Sequence, residues 1–341
     1  MAPQSDITLQ INLSPGDISY ANLTVPELVR LHRSAVREVV GVVDVCKPGR
    51  TKAVDPEVRF PEPTFSERVE KIIAIAEGLK SQGVLDRLVV LRPGNEIHEL
   101  CKKKYLRNLV SHTHDWSGCA LTAYLSAFEV VDTKYLLHYD ADMLLYQAPG
   151  REDWSVTAKR WIESPPAGEE KEFVVAASPR HSPPFVPQGS PEDLPERVCG
   201  VPTRPVPGGW LDNWFSTRCF LIHRPRLFET LPLLRGRVLI EHLARVALRK
   251  SWPLSPEVMM HHAIGRAQKG RRLLLGDQDV WLLHPAQKPA EYLALLPAIM
   301  DSIRRGVVPE GQRGYANIAL SLWQEFLAKE VPAAQALPGK G

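Results

Sequence analysis

A chain of 341 residues, 44% apolar and 24% charged, has the composition of an ordinary globular protein and the length of one large domain or two smaller ones. Its formal net charge of +3 is too small over this length to make a nucleic-acid polymer its main partner. The N-terminus lacks a basic segment followed by an apolar one, and no run of about 18 apolar residues occurs, so a cytoplasmic protein without a membrane span is expected.

Ile7 to Leu13 is a candidate first strand, closed by the turn Ser14-Pro15-Gly16-Asp17. Thr24-x-x-Glu27 has capping-box spacing, with Pro26 in the first turn, and Val25, Leu28, Val29, His32, Ala35 and Val36 follow at helical intervals. The β-branched run Val39 to Val45 reads as a second strand with Asp44 near its end. After a Pro-rich connection, Thr64-x-x-Glu67 opens a helix whose stripe is Val69, Ile72, Ile73, Ala76 and Leu79, and Gly83 stops it. Leu88 to Leu91 is the next strand. Short strands alternating with amphipathic helices predict a parallel, doubly wound sheet.

Residues 95–115 are less regular. They hold His98, His112 and His114, and the spacing of the last two suits a metal but has no second ligand cluster beside it. The five cysteines (Cys46, Cys101, Cys119, Cys199 and Cys219) form no Cys-x-x-Cys pair, so reduced structural thiols are expected rather than disulfides or a zinc site. Ser117 can cap a helix whose Leu121, Tyr124, Leu125, Phe128 and Val131 face inward. It leads into KYLLHYDADMLLYQ, residues 134–147, where an apolar strand ends in Asp140-Ala141-Asp142. Ligands of α/β sheets gather outside the carboxyl ends of strands, and two such carboxylates suit a hard divalent cation against a diphosphate.

Residues 149–168 are polar, and Phe173 to Ala177 reads as a strand. From Pro179 to Pro207 the chain carries nine prolines, which predicts a functional loop over a pocket. Gly208-Gly209 allows close backbone approach, and Trp210, Asp212 and Trp214 follow as groups that suit a sugar or base. With Trp154 and Trp161 they mark where acceptor specificity is expected. Cys219 to His223 is a strand and Ile240 to Leu248 a helix. Ser255-Pro256-Glu257 is a helix start that places Glu257 at the positive end of the dipole, a position equally suited to helix stability and to a general base. Leu273 to Leu275 and Val280 to Leu283 read as a pair of strands around Gly276-Asp277-Gln278. His284 and Lys288 lie just beyond the second, as a possible metal ligand and phosphate counter-charge. Helical patterns over 290–305, with a kink at Pro297, and 315–329 close the chain.

The order of these parts resembles the GT-A glycosyltransferases, which use nucleotide sugars on a Rossmann-like, mostly parallel sheet flanked by helices. Asp140-x-Asp142 resembles the family's metal-binding Asp-x-Asp, Gly208-Gly209 its glycine-rich loop, Glu257 its acidic motif at a helix start, and His284 the histidine completing the metal shell. Where the family commonly has Glu-Asp, this chain has Glu257-Val258, so Glu257 or Asp212 would be the catalytic base. The resemblance implies Mn²⁺ or Mg²⁺ held by Asp140, Asp142 and His284. It implies nucleotide-sugar contacts from Leu13, Ser14, Asp44, Gly118, Asp140, Ala141, Gly208, Gly209 and Lys288, and acceptor contacts from Trp210, Asp212 and Trp214.

Residues 1–290 would form the transferase domain, with a nucleotide-binding half over 1–147 and an acceptor half over 148–290 containing the 179–207 loop. Residues 291–341 would be a helical extension. The expected reaction is inverting transfer from a nucleotide-diphosphate sugar, UDP first, to a hydroxyl of a soluble small-molecule acceptor. A sugar nucleotidyltransferase and a non-catalytic nucleotide- or glycan-binding module are the alternatives. The former usually carries a glycine-rich signature with a basic residue where this chain has Leu13-Ser14-Pro15-Gly16-Asp17.

Overall fold

The computed structural model describes residues 5–179, 197–198, 201–248, 250, 252–267, 270–313 and 315–335. Most of the Pro-rich stretch expected to form a loop over a pocket lies outside the described residues. In chain order, β1 (Ile7–Leu13), α1 (Ala21–His32), β2 (Glu38–Asp44), α2 (Pro56–Arg59), α3 (Thr64–Ser81) and β3 (Arg87–Leu91) form the first winding. Next come α4 (Glu96–Leu106), α5 (Thr122–Ala127), β4 (Tyr135–Asp140), β5 (Leu144–Gln147), α6 (Trp154–Glu163) and β6 (Val174–Ser178). The strand pair β7 (Arg197–Val198) and β8 (Val201–Pro202) is followed by β9 (Arg204–Val206), β10 (Gly209–Asp212), β11 (Cys219–His223), α7 (Arg224–Glu229) and α8 (Gly236–Leu248). Then follow α9 (Pro256–Met260), a π-helical stretch His261–Ala267, β12 (Arg271–Leu275), β13 (Val280–Leu283), α10 (Ala290–Arg304) and α11 (Leu320–Gln335).

The central sheet has nine strands in the order β3-β2-β1-β4-β11-β6-β12-β10-β9. Only β10 and β11 run against the rest, so the sheet is mostly parallel, as expected. The chain first winds outward from β1 to β3 and then returns to place β4 on the other side of β1. That reversal is a topological switch point, where a crevice opens outside the carboxyl ends of β1 and β4.

Alternation along the strands assigns their side chains to two faces. Ile7, Leu9, Ile11 and Leu13 join Tyr135, Leu137 and Tyr139 in one core, which the C-terminal helices complete with Leu296, Ile299 and Trp323. Leu136 and the β2 residues Val40 and Val42 enter the second core with α4 and α5. On this second face β1 shows Thr8, Gln10 and Asn12, in register with Leu136, His138 and Asp140 of β4. A polar column thus runs up the sheet to the crevice.

Three elements differ from expectation. The first helix starts at Ala21, not behind a Thr24 cap, because the Asp17 carbonyl already accepts the Ala21 N–H at 2.9 Å. Thr24 Oγ1 is thereby free to donate to the Ala141 carbonyl at 2.5 Å. Residues 95–115 contain a regular helix, α4, capped by Asn95, whose buried residues are His98, Cys101, Tyr105 and Leu106; the stripe is obscured because three of its members are not aliphatic. Finally, β12 and β13 do not pair with each other. β12 joins the central sheet, whereas β13 pairs antiparallel with β5, Leu283 opposite Leu144.

Candidate active site

The pairing of β5 with β13 builds the site. β5 begins just after Asp142 and β13 ends just before His284, so an antiparallel register sets these two residues at the same end of the ribbon. His284 Nε2 lies 3.5 Å from Asp142 Oδ2, and Lys288 Nζ lies 2.6 Å from the same oxygen. The backbone holds both sides. Ala141 N–H donates to the Asn12 carbonyl at 3.1 Å, and His284 is clamped by N–H donation to the Ala316 carbonyl at 2.7 Å and acceptance from Ile318 N–H at 3.0 Å.

Burial opposes the charge on Asp142, but the His284 hydrogen bond and the His284 and Lys288 charges outweigh it and hold the carboxyl well below its usual range. Asp140, one strand end away, accepts from Tyr124 Oη on both oxygens, at 2.8 and 2.7 Å. His138 Nε2 stands 3.4 Å from its Oδ1, and Gln10 Oε1 bonds the other nitrogen of that ring at 2.5 Å. Burial, with Asp140 beside it, pushes the Tyr124 phenol well above its ordinary range, so it stays a donor.

In front of these acids lies a cavity of about 500 Å³, within the usual size for small-molecule sites. Leu13, Ser14, Asp44, Gly118, Asp140, Ala141 and Asp142, which the sequence offers as donor or metal contacts, all line it. Gly118 has φ +86°, and a Cβ there would meet the Val54 and Arg59 side chains at 3.1 and 3.2 Å. Asp44 is buried, which raises its carboxyl to about 6. Asp17 rises to about 6 through burial, against hydrogen bonds from Tyr20 and Ser14 and with Asp142 nearby.

Glu257 follows its Ser255 cap on α9. Its Oε1 accepts from the Thr217 N–H at 3.1 Å and from Thr217 Oγ1 at 3.4 Å. Burial raises its carboxyl; Thr217 and the Arg218 charge oppose the shift, while Asp140 adds to it. Glu257 therefore feels the same acidic centre as the cavity. Asp212 has a different environment. Arg272 Nε donates to its Oδ1 at 3.1 Å and an Arg272 terminal nitrogen to its Oδ2 at 2.6 Å, in a pair with side chains 3% and 0% exposed.

The remaining predicted residues fall elsewhere. Gly208, Gly209 and Trp210 line a second, more open cavity of about 800 Å³ with Gly276 and Asp277. Gly209 has a packing requirement, since a Cβ there would lie 2.1 Å from the Leu274 carbonyl oxygen. Trp214 packs on the His261 ring at 5.4 Å. Trp154 and Trp161 are core residues, donating to Tyr139 Oη at 2.8 Å and to the Pro207 carbonyl at 3.0 Å.

Sequence reasoning did not single out Arg59, Arg68, His114, Asp17 or Tyr124 for this cavity, and all five line it. Arg59 donates to the Ser117 carbonyl and Arg68 to the Pro15 carbonyl, which holds two cationic side chains in the cavity lining. Tyr124 was legible only as an inward-facing helix residue, and nothing local marks the arginines.

A divalent cation fits the Asp142 corner. A carboxylate and an imidazole nitrogen already meet there, and the Lys288 ammonium stands against the carboxylate as a positive charge would.

No protein-family model matches the chain, and no curated protein does. Among solved structures it is similar to a mannosyltransferase, PcManGT of Pyrobaculum calidifontis in complex with GDP-Man and Mn²⁺. Identity is 16% over 99% of this chain and 77% of that one, with a TM-score of 0.38. It is similar to the galactosyltransferase LgtC in complex with donor and acceptor sugar analogues, at 11% identity over 97% and 98% of the two chains and a TM-score of 0.38. A third is glucosyl-3-phosphoglycerate synthase of Mycobacterium tuberculosis with Mn²⁺ and UDP, at 14% identity over 91% and 82% and a TM-score of 0.33. Likeness at this level assigns no chemistry by itself.

Proposed function

We propose that the protein is a metal-dependent GT-A glycosyltransferase that moves a sugar from a nucleotide-diphosphate donor, UDP-linked first, to a hydroxyl of a soluble small-molecule acceptor with inversion. The observation that carries this reading is the joining of one cavity at the sheet's switch point to an acidic corner that gathers Asp142, His284 and Lys288. A switch-point crevice suits a nucleotide, and a carboxylate beside an imidazole and an ammonium suits a metal-bound diphosphate.

In this reading Asp142 and His284 hold the metal, with Asp140 as a further ligand or ribose contact. A metal held there would supply Lewis-acid stabilisation of the diphosphate leaving group. Lys288 adds positive charge where negative charge develops. Leu13, Ser14, Gly118 and Ala141 line the donor's path, and Asp44 closes the end assigned to the nucleobase. Tyr124 holds Asp140 in place by donating to both its oxygens. Glu257 takes the proton of the acceptor hydroxyl: Thr217 fixes its carboxylate, and its burial raises basicity. Asp212 serves as the anchor of Arg272 rather than as base, because both its oxygens are already engaged. The acceptor side is assigned in this reading to Trp214, and Gly208, Gly209 and Trp210 border the neighbouring open cavity.

Calorimetric titration with UDP and UDP-sugars, with Mn²⁺ and then with chelator, tests the reading. Binding is expected to require the metal and to weaken at least ~10-fold in Asp142→Ala. Metal-independent donor binding, or full transfer by Asp142→Ala, overturns it.

A further inference from the structure

The cavity wall away from the Asp142 corner carries a second cluster of different chemistry. Asp44 closes β2 and Cys46 follows two residues later, a spacing that keeps both on one side of an extended backbone. The first turn of α4 brings His98 against them. One ligand atom from each of Asp44, Cys46 and His98 lies within 4.8 Å of the other two, and all three residues are buried. Cys46 Sγ is 3.3 Å from His98 Nε2, and His114 Nε2 is 3.9 Å from Asp44 Oδ2.

Asp44 is 5% exposed. Its Oδ1 accepts the Cys46 N–H at 2.9 Å, but its Oδ2 has no hydrogen-bond partner. An unpartnered buried carboxylate oxygen is costly, and here it faces a thiol and two imidazoles. Sequence alone conceals the cluster, because its members come from the end of β2, a helix some fifty positions later, and the loop before α5.

We propose that Asp44, Cys46 and His98 form a binding site for a borderline transition-metal ion of the Zn²⁺ class, with His114 as fourth ligand. Sulfur and imidazole donors favour Zn²⁺ or Co²⁺ over the Mn²⁺ and Mg²⁺ that suit carboxylates. The site is separate from the Asp142 corner: β1 lies between β2 and β4, so about 10 Å of sheet separates Asp44 from Asp140. On binding, the Cys46 thiol proton leaves to solvent, the thiolate sulfur bonds the metal, and Asp44 Oδ2 gains its missing partner.

Cobalt titration of the chelator-treated full-length protein tests this. Wild type should take up Co²⁺ stoichiometrically with a thiolate-to-cobalt charge-transfer band in the near ultraviolet. Zn²⁺ should abolish the band by displacement, and Asp142→Ala should retain it. Cys46→Ser should lose it, and His98→Gln should bind at least ~10-fold more weakly. Should Cys46→Ser fail to fold, the isosteric Asp44→Asn carries the same ~10-fold expectation. Absence of the band in wild type, or its survival in Cys46→Ser, overturns the proposal.

Discussion

Two acids that sequence offered as candidates for the base, Glu257 first and Asp212 second, are separated by their partners. Glu257 carries a carboxylate held by one residue, Thr217, and raised by burial. As a general base it acts only when ionised, so the acid limb of the kcat profile should lie above the usual carboxylate range and rate should rise with pH through it. Glu257→Gln should bind donor normally and lose at least ~100-fold in transfer; an unshifted acid limb, or normal transfer by the variant, removes the assignment. Asp212 makes the opposite prediction. Removing one member of the buried Asp212–Arg272 pair leaves an uncompensated charge, and Arg272→Met should destabilise the fold by roughly 3–5 kcal/mol in urea unfolding. The pair Asp212→Leu with Arg272→Met should recover most of that loss. A stable Arg272→Met protein would show that the pair is not the anchor described above.

Among the elements, the short ribbon of β5 and β13 has a larger role than its length suggests, because its register brings Asp142 to His284. Its residues were legible as strands from their apolar runs. Their pairing was not, since β13 follows β12 across a tight turn that reads as a hairpin. The competing fact is tertiary: β12 is drawn into the central sheet between β6 and β10. A related contrast holds for Gly208-Gly209, which reads as a ligand-approach loop. Gly209 instead lets β10 pack on β12, and Gly209→Ala should cost about 1–3 kcal/mol or more by forcing a methyl onto the Leu274 carbonyl. Thermal denaturation measures it; an unchanged melting temperature would mean that the strands can part without loss.

For the whole molecule, the doubly wound half was legible because β1, β2 and β4 are apolar runs ending in polar residues, and buried parallel strands demand that pattern. Asp44, Asp140 and Asp142 stood out as the acids at those ends. The arginines that line the cavity from elsewhere, Arg59 and Arg68, left no local trace, because their placement depends on how α2 and α3 pack rather than on their local sequence. The helices near the C-terminus read as an extension, yet Leu296, Ile299 and Trp323 share the core of β1 and β4.

The tie between residues 142 and 284 also bears on how the site is assembled during synthesis. The first winding and β4 lie early in the chain and pair with near neighbours in the sheet, so they have their partners while translation continues. Asp142 does not. A nascent chain ending before Lys288 has no counter-charge from that end of the ribbon, and the clamp on His284 waits still longer, for residues 316–318. The acidic corner is therefore completed only after residues 316–318 have been made, long after the strand that ends in Asp140 has found its partners.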